Sequence, residues 1–217
     1  MRHAARGTGT PAGAGRGAGT GAPQETIVSA LREAARLHAE LPAEQVALIA
    51  RAGALMAEAI RSGQKIIWFG NGGSATQSQH MAGEFVGRFR QDRRALPSLS
   101  LTENMASVTA IGNDYAFEEI FSRQLEGLAQ PGDVAVGLST SGNSANVLRG
   151  LRAARALKVG TVGLTGGSGG QMAAACDICI CVPSTVTARI QEVHLTVGHA
   201  LCAVVEDALG EFLTERA

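Results

Sequence analysis

The sequence predicts an α/β protein, a three-layer αβα sandwich around a five-stranded parallel sheet. Three observations carry that expectation. Five short apolar runs, at residues 65–69, 98–101, 134–138, 159–164 and 178–182, alternate with longer stretches of helical periodicity, and strands that alternate with helices pair in parallel with helices on both faces. Aromatic residues make up only 4 % of the chain while glycine supplies 28 of 217 residues, and small side chains let helices lie close on a sheet. Glycine-rich turns end three of the five runs, as at the carboxyl ends of strands in doubly wound sheets, where ligands bind.

Residues 1–23 are almost entirely Gly, Ala, Thr, Arg and Pro, with almost nothing apolar to bury and no acidic residue, so a disordered tail is expected and not a secretory signal. Arg2, Arg6 and Arg16 are too few to make it an anionic tether. Residues 24–217 are sized for a single domain with a sizeable core. From Glu25 to Leu41 apolar residues recur at Ile27, Ala30, Leu31, Ala34 and Leu37, the pattern of an amphipathic helix. Pro42 opens a second helix, to about Ile60, with Val46, Ile49, Ala50 and Leu55 on its apolar face. Two helices ahead of the first strand are surplus to a βαβ core, and are expected on the sheet edge or against another subunit.

The first run, Lys65–Phe69, stops at Gly70-Asn71-Gly72-Gly73-Ser74, and a helix follows in which Met81, Phe85 and Phe89 form one stripe and Gln77, His80, Glu84 and Arg88 another. The second run leads into Thr102-Glu103-Asn104. The third ends in Ser139-Thr140-Ser141-Gly142-Asn143-Ser144 before a helix from Ala145 to about Leu157. The fourth ends in Thr165–Gly170, glycine-rich without a polar cluster, and reads as a plain turn. The fifth, Ile178–Val182, reads as a strand buried on both faces, with Cys179 and Cys181 as core packing in a reducing cytoplasm. Cys176 and Cys179 make a lone C-x-x-C that lacks both a second pair for zinc and the following helix of a thiol redox site. A last helix, Ala188–Leu213, carries an unbroken apolar seam from Ile190 through Leu201 to Phe212.

The sheet so described is flavodoxin-like. A strand, a glycine turn and a helix N-terminus make an anion site, because glycine lets the backbone approach a ligand and the first helical N–H groups have no intrahelical partners. The spacing at 70–74 matches neither a dinucleotide fingerprint nor a nucleoside triphosphate loop. By itself that stretch reads equally well as a bland strand-to-helix turn. The second turn is more telling, since one hydroxyl suffices for a helix cap and this turn supplies three serines and an asparagine, suited to a phosphate. Lys plus Arg equals Asp plus Glu at 19 each, which argues against nucleic acid as a principal partner. No apolar stretch is long enough to span a bilayer.

His80 and Glu84, at i and i+4, project from one helix face and can bind a divalent metal or share acid/base work. Such pairs are also common on solvated faces. On the last helix Gln191, Glu192, His194 and His199 are all candidates, and periodicity does not choose among them.

Taken together and in order, Gly70–Ser74, His80–Glu84, Gly112-Asn113-Asp114, Ser139–Ser144 and Arg189-Ile190-Gln191-Glu192 resemble the phosphoheptose isomerases of the sugar isomerase (SIS) domain family. The resemblance covers about Glu25–Leu209. It implies a homotetramer with sites at subunit interfaces and a phosphosugar substrate, sedoheptulose 7-phosphate, isomerised to D-glycero-D-manno-heptose 7-phosphate at the entry to nucleotide-activated heptose synthesis. By the same resemblance Ser74, Ser139, Ser141 and Ser144 hold the phosphate, with the Asn71-Gly72-Gly73 and Thr140 backbone beside them, and Asn113 and Asp114 contact sugar hydroxyls. His80, Glu84, Gln191 and His199 are implied as a zinc site, one Zn2+ per subunit, Glu84 and Gln191 also reach substrate, and Glu84 and His199 are the catalytic pair. Ala188 departs from the pattern, where some members carry an Asp.

Ketose becomes aldose when a proton leaves C1, a cis-enediol forms, and a proton returns to C2 while another moves between the oxygens. A carboxylate such as Glu84 suits the carbon-bound proton and an imidazole such as His199 the oxygen-bound one, although the two roles can be exchanged. Two other classes share the fold: non-catalytic assembly proteins that associate with replication initiators, and phosphosugar sensors fused to DNA-binding domains. Retention of Glu84 and His199 favours the enzyme over the first, and no DNA-binding domain is present for the second.

Overall fold

The computed structural model describes residues 22–214; the expected tail lies outside the described residues except for its last two positions, Ala22 and Pro23, the second of which already begins a helix. Fifteen elements follow in the order α1 (Pro23–Ala39), α2 (Ala43–Arg61), β1 (Ile66–Gly70), α3 (Gly73–Val86), β2 (Ser98–Ser100), α4 (Met105–Asp114), a 3-10 turn (Phe117–Glu119), α5 (Ser122–Leu128), β3 (Val134–Ser139), α6 (Ala145–Ala156), β4 (Gly160–Gly166), α7 (Met172–Ala175), β5 (Ile178–Val182), α8 (Thr187–Leu209) and α9 (Glu211–Thr214). The five strands are all parallel in the order β2-β1-β3-β4-β5. This is the flavodoxin-like order, whose switch point falls between β1 and β3.

Alternation along β1 divides the core in two. Ile66 and Trp68 point to the face covered by α2, α3 and α8, and Ile67 and Phe69 to the face covered by α5, α6 and α7. Trp68 is fully buried with its indole N–H donated to Ser98 Oγ at 3.1 Å, which satisfies its polar atom. On the other face Phe69 fills the space left by two glycines: a Cβ at Gly137 or at Gly150 would lie 3.2 or 2.9 Å from its ring. Those glycines bring α6 down onto the sheet. Truncating Phe69 to Ala would cost about 3–5 kcal/mol.

Three expectations need correction. Helix α3 ends at Val86, so Arg88 and Phe89 lie beyond it in the segment that returns to β2. Gly87 caps that end, and its own side-chain-free backbone is followed by a change of direction that periodicity does not register. The last helix is broken at Gly210, with φ of +35°, into α8 and a separate turn α9. Finally, β5 is an edge strand with Ile178, Ile180 and Val182 buried but Cys179 and Cys181 only half-buried. Its open edge is partly closed by Gln45 Oε1, which accepts the Cys181 N–H at 2.7 Å.

Candidate functional site

The glycine turn after β1 is tightly wound. Gly72 has φ of +55° with open space where a Cβ would be, and Ser74 N–H donates to the Asn71 carbonyl at 3.0 Å. Ser74 is buried and its carbonyl accepts the Ser78 hydroxyl.

The serine turn after β3 lies beside it, since β1 and β3 are neighbours in the sheet. Ser139 Oγ is 2.8 Å from Ser144 Oγ and 3.4 Å from Ser141 Oγ. Ser144 precedes α6 without capping it by a side-chain bond, and Thr140 is half-exposed. The hydroxyls therefore face one another in place of serving the helix. A cluster of that kind, at a helix N-terminus with Gly142 at φ of +67°, suits an anion with several oxygens.

Two contributors escaped the sequence reading. Asn146, 3 % exposed, exchanges a reciprocal pair of amide bonds with Asn71, both 2.8 Å, and so joins the glycine turn to the serine turn. A single asparagine in a helix gave no pattern to read. The third glycine turn, after β4, supports the serine turn from behind: Gly166 N–H donates to the Thr140 carbonyl, Met172 N–H to the Gly142 carbonyl and Gln171 N–H to Asn143 Oδ1, at 3.0–3.1 Å. Its role is structural support, which its composition alone did not reveal.

Helices α3 and α8 bring His80, Glu84 and His199 together. His80 Nε2 lies 3.0 Å from His199 Nε2 and 3.3 Å from Glu84 Oε1, and the donor atoms of all three fall within 4.8 Å of one another. Two imidazoles and a carboxylate are a donor set that zinc accepts, and the cluster is partly open to solvent, so the residues fit a catalytic metal. The Phe89 ring stacks on His199 with centroids 5.5 Å apart and planes 20° apart.

The other expected residues are placed differently. Gln191 lies two turns before His199 on α8, about 12 Å along the axis; its amide rests against Gly73, where a Cβ would come within 2.6 Å of Nε2, and its carbonyl accepts Gln77 Nε2. Among the described residues no hydrogen bond joins the Gln191 side chain to the trio. Asn113 and Asp114 end α4, exposed and bonded to each other, and Asp114 lines a cleft with Tyr115 and Arg123 apart from the serine turn. Glu192 is paired with Arg189 instead of meeting His199. His194 is 1 % exposed and bonded to the Thr165 carbonyl, with Nδ1 buried and unpartnered; burial lowers its pKa to about 4, and the carbonyl bond opposes this only in part. It is a core group. The thiols are free, and burial pushes Cys202 up to about 12, with Glu84 and Glu206 adding to the effect.

Residues 31–166 match the family model described as the SIS domain. The chain is 53 % identical over 161 residues to a phosphoheptose isomerase of Rhodospirillum rubrum, a match covering 74 % of this chain and 86 % of the relative. It is 47 % identical to that of Aquifex aeolicus, over 86 % of this chain and 98 % of the relative. The structure of phosphoheptose isomerase GmhA from Neisseria gonorrhoeae superposes with a TM-score of 0.80 at 39 % identity, over 85 % of this chain and 98 % of that one.

Proposed function

The chain belongs to the SIS domain family, and from that premise we propose that it is an aldose-ketose isomerase that converts sedoheptulose 7-phosphate to D-glycero-D-manno-heptose 7-phosphate. The observation that carries the reading is the coexistence in one fold of a cluster of three serine hydroxyls, bonded to one another and not to the helix they precede, and a His-Glu-His group with its donor atoms within 4.8 Å. The first matches a phosphate and the second matches proton transfer.

In the proposed reaction the hydroxyls of Ser139, Ser141 and Ser144, with Ser74 and the backbone of Asn71-Gly72-Gly73 and Thr140, bind the phosphate. Fixing the charged end removes most of the substrate's translational freedom and presents the carbonyl end to the acid/base groups. Glu84 takes the proton from C1 and delivers it to C2, and His199 carries the proton between the two oxygens. Asn113, Asp114 and Gln191 belong to the proposed substrate contacts. Since α4 keeps Asn113 and Asp114 apart from the serine turn within one chain, their contribution is proposed across a subunit boundary.

Zinc is the proposed cofactor, held by His80, Glu84 and His199; Gln191, whose amide rests against Gly73, would have to turn toward the trio to serve as the further ligand. Bound there, it would supply Lewis-acid stabilisation of negative charge on the substrate oxygens. A homotetramer is proposed on the evidence of α1 and α2, whose Ile27, Leu31 and Val46 are 58, 65 and 52 % exposed, an apolar face of the sort that subunits cover. No helix among the described residues is long and apolar enough to cross a membrane. We place the enzyme in the cytoplasm, in keeping with its free thiols.

The test is to incubate the purified protein with sedoheptulose 7-phosphate and identify the product by NMR. Formation of the manno-configured heptose 7-phosphate is expected. Failure to isomerise any phosphosugar would favour the non-catalytic, initiator-associating class instead.

A further inference from the structure

Resting on the isomerase reading above, we infer that Glu206 and Arg93 are a positioning pair that seats Phe89 on the His199 ring and thereby fixes the orientation of the imidazole. Glu206 sits seven residues after His199 on α8, on the same side of the helix two turns further on. It is 1 % exposed and reaches no solvent-lined site. Its carboxylate accepts the backbone N–H groups of Phe89, Arg90 and Gln91 at 3.3, 3.1 and 3.3 Å, together with Arg93 Nε at 2.8 Å. Burial alone would push the carboxyl up, but these donors outweigh it and hold its pKa below the ordinary carboxylate range.

Arg93 is as deeply placed, its side chain 2 % exposed. It turns the rest of its guanidinium on the end of α3, donating to the Glu84 and Phe85 carbonyls at 3.0 Å each and to the Gly87 carbonyl at 3.4 Å. These are carbonyls that the helix itself leaves without partners. One ion pair thus holds both the final turn of the helix that bears Glu84 and the three residues that lead away from it.

A buried ion pair is weak evidence for a stability role, because apolar residues of similar volume can often replace it at little cost. What apolar residues cannot do is accept three successive N–H groups. That contact curls residues 89–91 around the carboxylate, and the Phe89 ring points toward α8, 20° from parallel to His199. His80 meets the same imidazole edge-on, at 71°. His199 is therefore held between a ring face set by Glu206 and an edge set by α3.

The experiment compares Glu206→Gln, Phe89→Leu and Phe89→Tyr with wild type. Phe89→Leu keeps apolar cover but removes the ring face, and kcat should fall roughly ten- to hundred-fold from misorientation alone, with KM for sedoheptulose 7-phosphate unchanged because the serine turn is on other elements. Phe89→Tyr should restore kcat. Glu206→Gln should reproduce the kcat loss and, in NMR spectra of the folded proteins, move the His199 ring resonances toward their Phe89→Leu positions by removing the ring current. Should Glu206→Gln not fold, the double change Glu206→Met and Arg93→Met removes both charges together and serves in its place. Wild-type kcat in Phe89→Leu, or His199 resonances unmoved when Glu206 is replaced, would overturn the inference. If wild type itself does not turn over sedoheptulose 7-phosphate, the functional reading fails, and the resonances of His199 still decide whether Glu206 holds the ring.

Discussion

His80 and His199 are 119 residues apart in sequence and face each other Nε2 to Nε2 at 3.0 Å. At that separation one nitrogen must donate and the other accept, so a divalent cation held by both Nε2 atoms would require the donating ring to carry its proton on Nδ1 instead. Metal ligation uses imidazole without a proton on the ligating nitrogen and carboxylate in its ionised form, so zinc binding should weaken as pH falls. The expected findings are zinc in the purified protein, loss of turnover on chelation and recovery on adding zinc back; His199→Gln should lower zinc affinity at least about ten-fold. A fully active protein that never binds metal would remove zinc and leave the acid/base mechanism.

Glu84→Gln tests that mechanism. The amide keeps the size of the side chain but has no basic oxygen, so fold and assembly should persist while kcat drops by about 10²–10⁴. Zinc occupancy is measured in the same preparation, because Glu84 also belongs to the proposed metal group. Wild-type turnover in the folded, metal-loaded variant would strip Glu84 of its catalytic role.

Ser141→Ala and Ser144→Ala should act on binding. Each deletes a hydroxyl proposed to contact a charged phosphate, an interaction worth about 1.5–3 kcal/mol, so KM should rise roughly ten-fold or more. Ser144→Ala should be the more damaging, since it also frees Ser139 Oγ from its 2.8 Å partner. Steady-state kinetics in which neither KM moves would place the phosphate elsewhere.

Gly142→Ala should damage the same turn through the backbone. Gly142 has φ of +67°, and an added Cβ would run into the Gly169 carbonyl and lie 2.8 Å from Thr165 Oγ1. A destabilisation of about 1–3 kcal/mol is expected from the strained conformation, with a raised KM. Gly127→Ala on α5, where a Cβ meets nothing within 4 Å, is the control and should be neutral or slightly stabilising. Equal urea midpoints for the two variants would contradict this account.

Acid should weaken the fold through His194. Its folded pKa, about 4, lies below the ordinary 6.5, so folding favours the neutral ring. The contribution is fully present above pH 6.5 and is lost as pH falls toward 4, by about 2 kcal/mol between pH 7 and 5. Urea unfolding of wild type and His194→Gln at those two pH values checks it: wild type should lose more stability than the variant, and equal losses would be evidence against it.

What the sequence made legible was local. The apolar runs gave all five strands within two residues at each end, because β1, β3 and β4 are buried on both faces, which imposes a continuous pattern, and the edge strands β2 and β5 are short runs in the same alternation with helices. The serine cluster was readable for a similar reason, being contiguous. What stayed hidden depends on partners distant in the chain. Phe89 continues the helical stripe of Met81 and Phe85 perfectly well in sequence, and only Gly87 together with the bonds from Arg93 and Glu206 shows why it leaves the helix. Gly210 sits within an apolar seam that gave no sign of a break. Choosing among Gln191, Glu192, His194 and His199 likewise required knowing how α8 lies on α3, and that contact singles out His199.

The reciprocal amide pair between Asn71 and Asn146 constrains how the site can move. Because it bolts the loop after β1 to the first turn of α6, the two halves of the proposed phosphate cradle cannot part like jaws without breaking both bonds, one of whose partners, Asn146, is buried. Any breathing that admits a substrate and releases a product then falls to the segments around this fixed anvil. Met105 and Phe117, exposed along the cavity of about 220 Å³ beside the glycine turn, lie on such a segment. A substrate would meet an already shaped seat for its phosphate, with induced fit confined to the end of the molecule where bonds are made and broken.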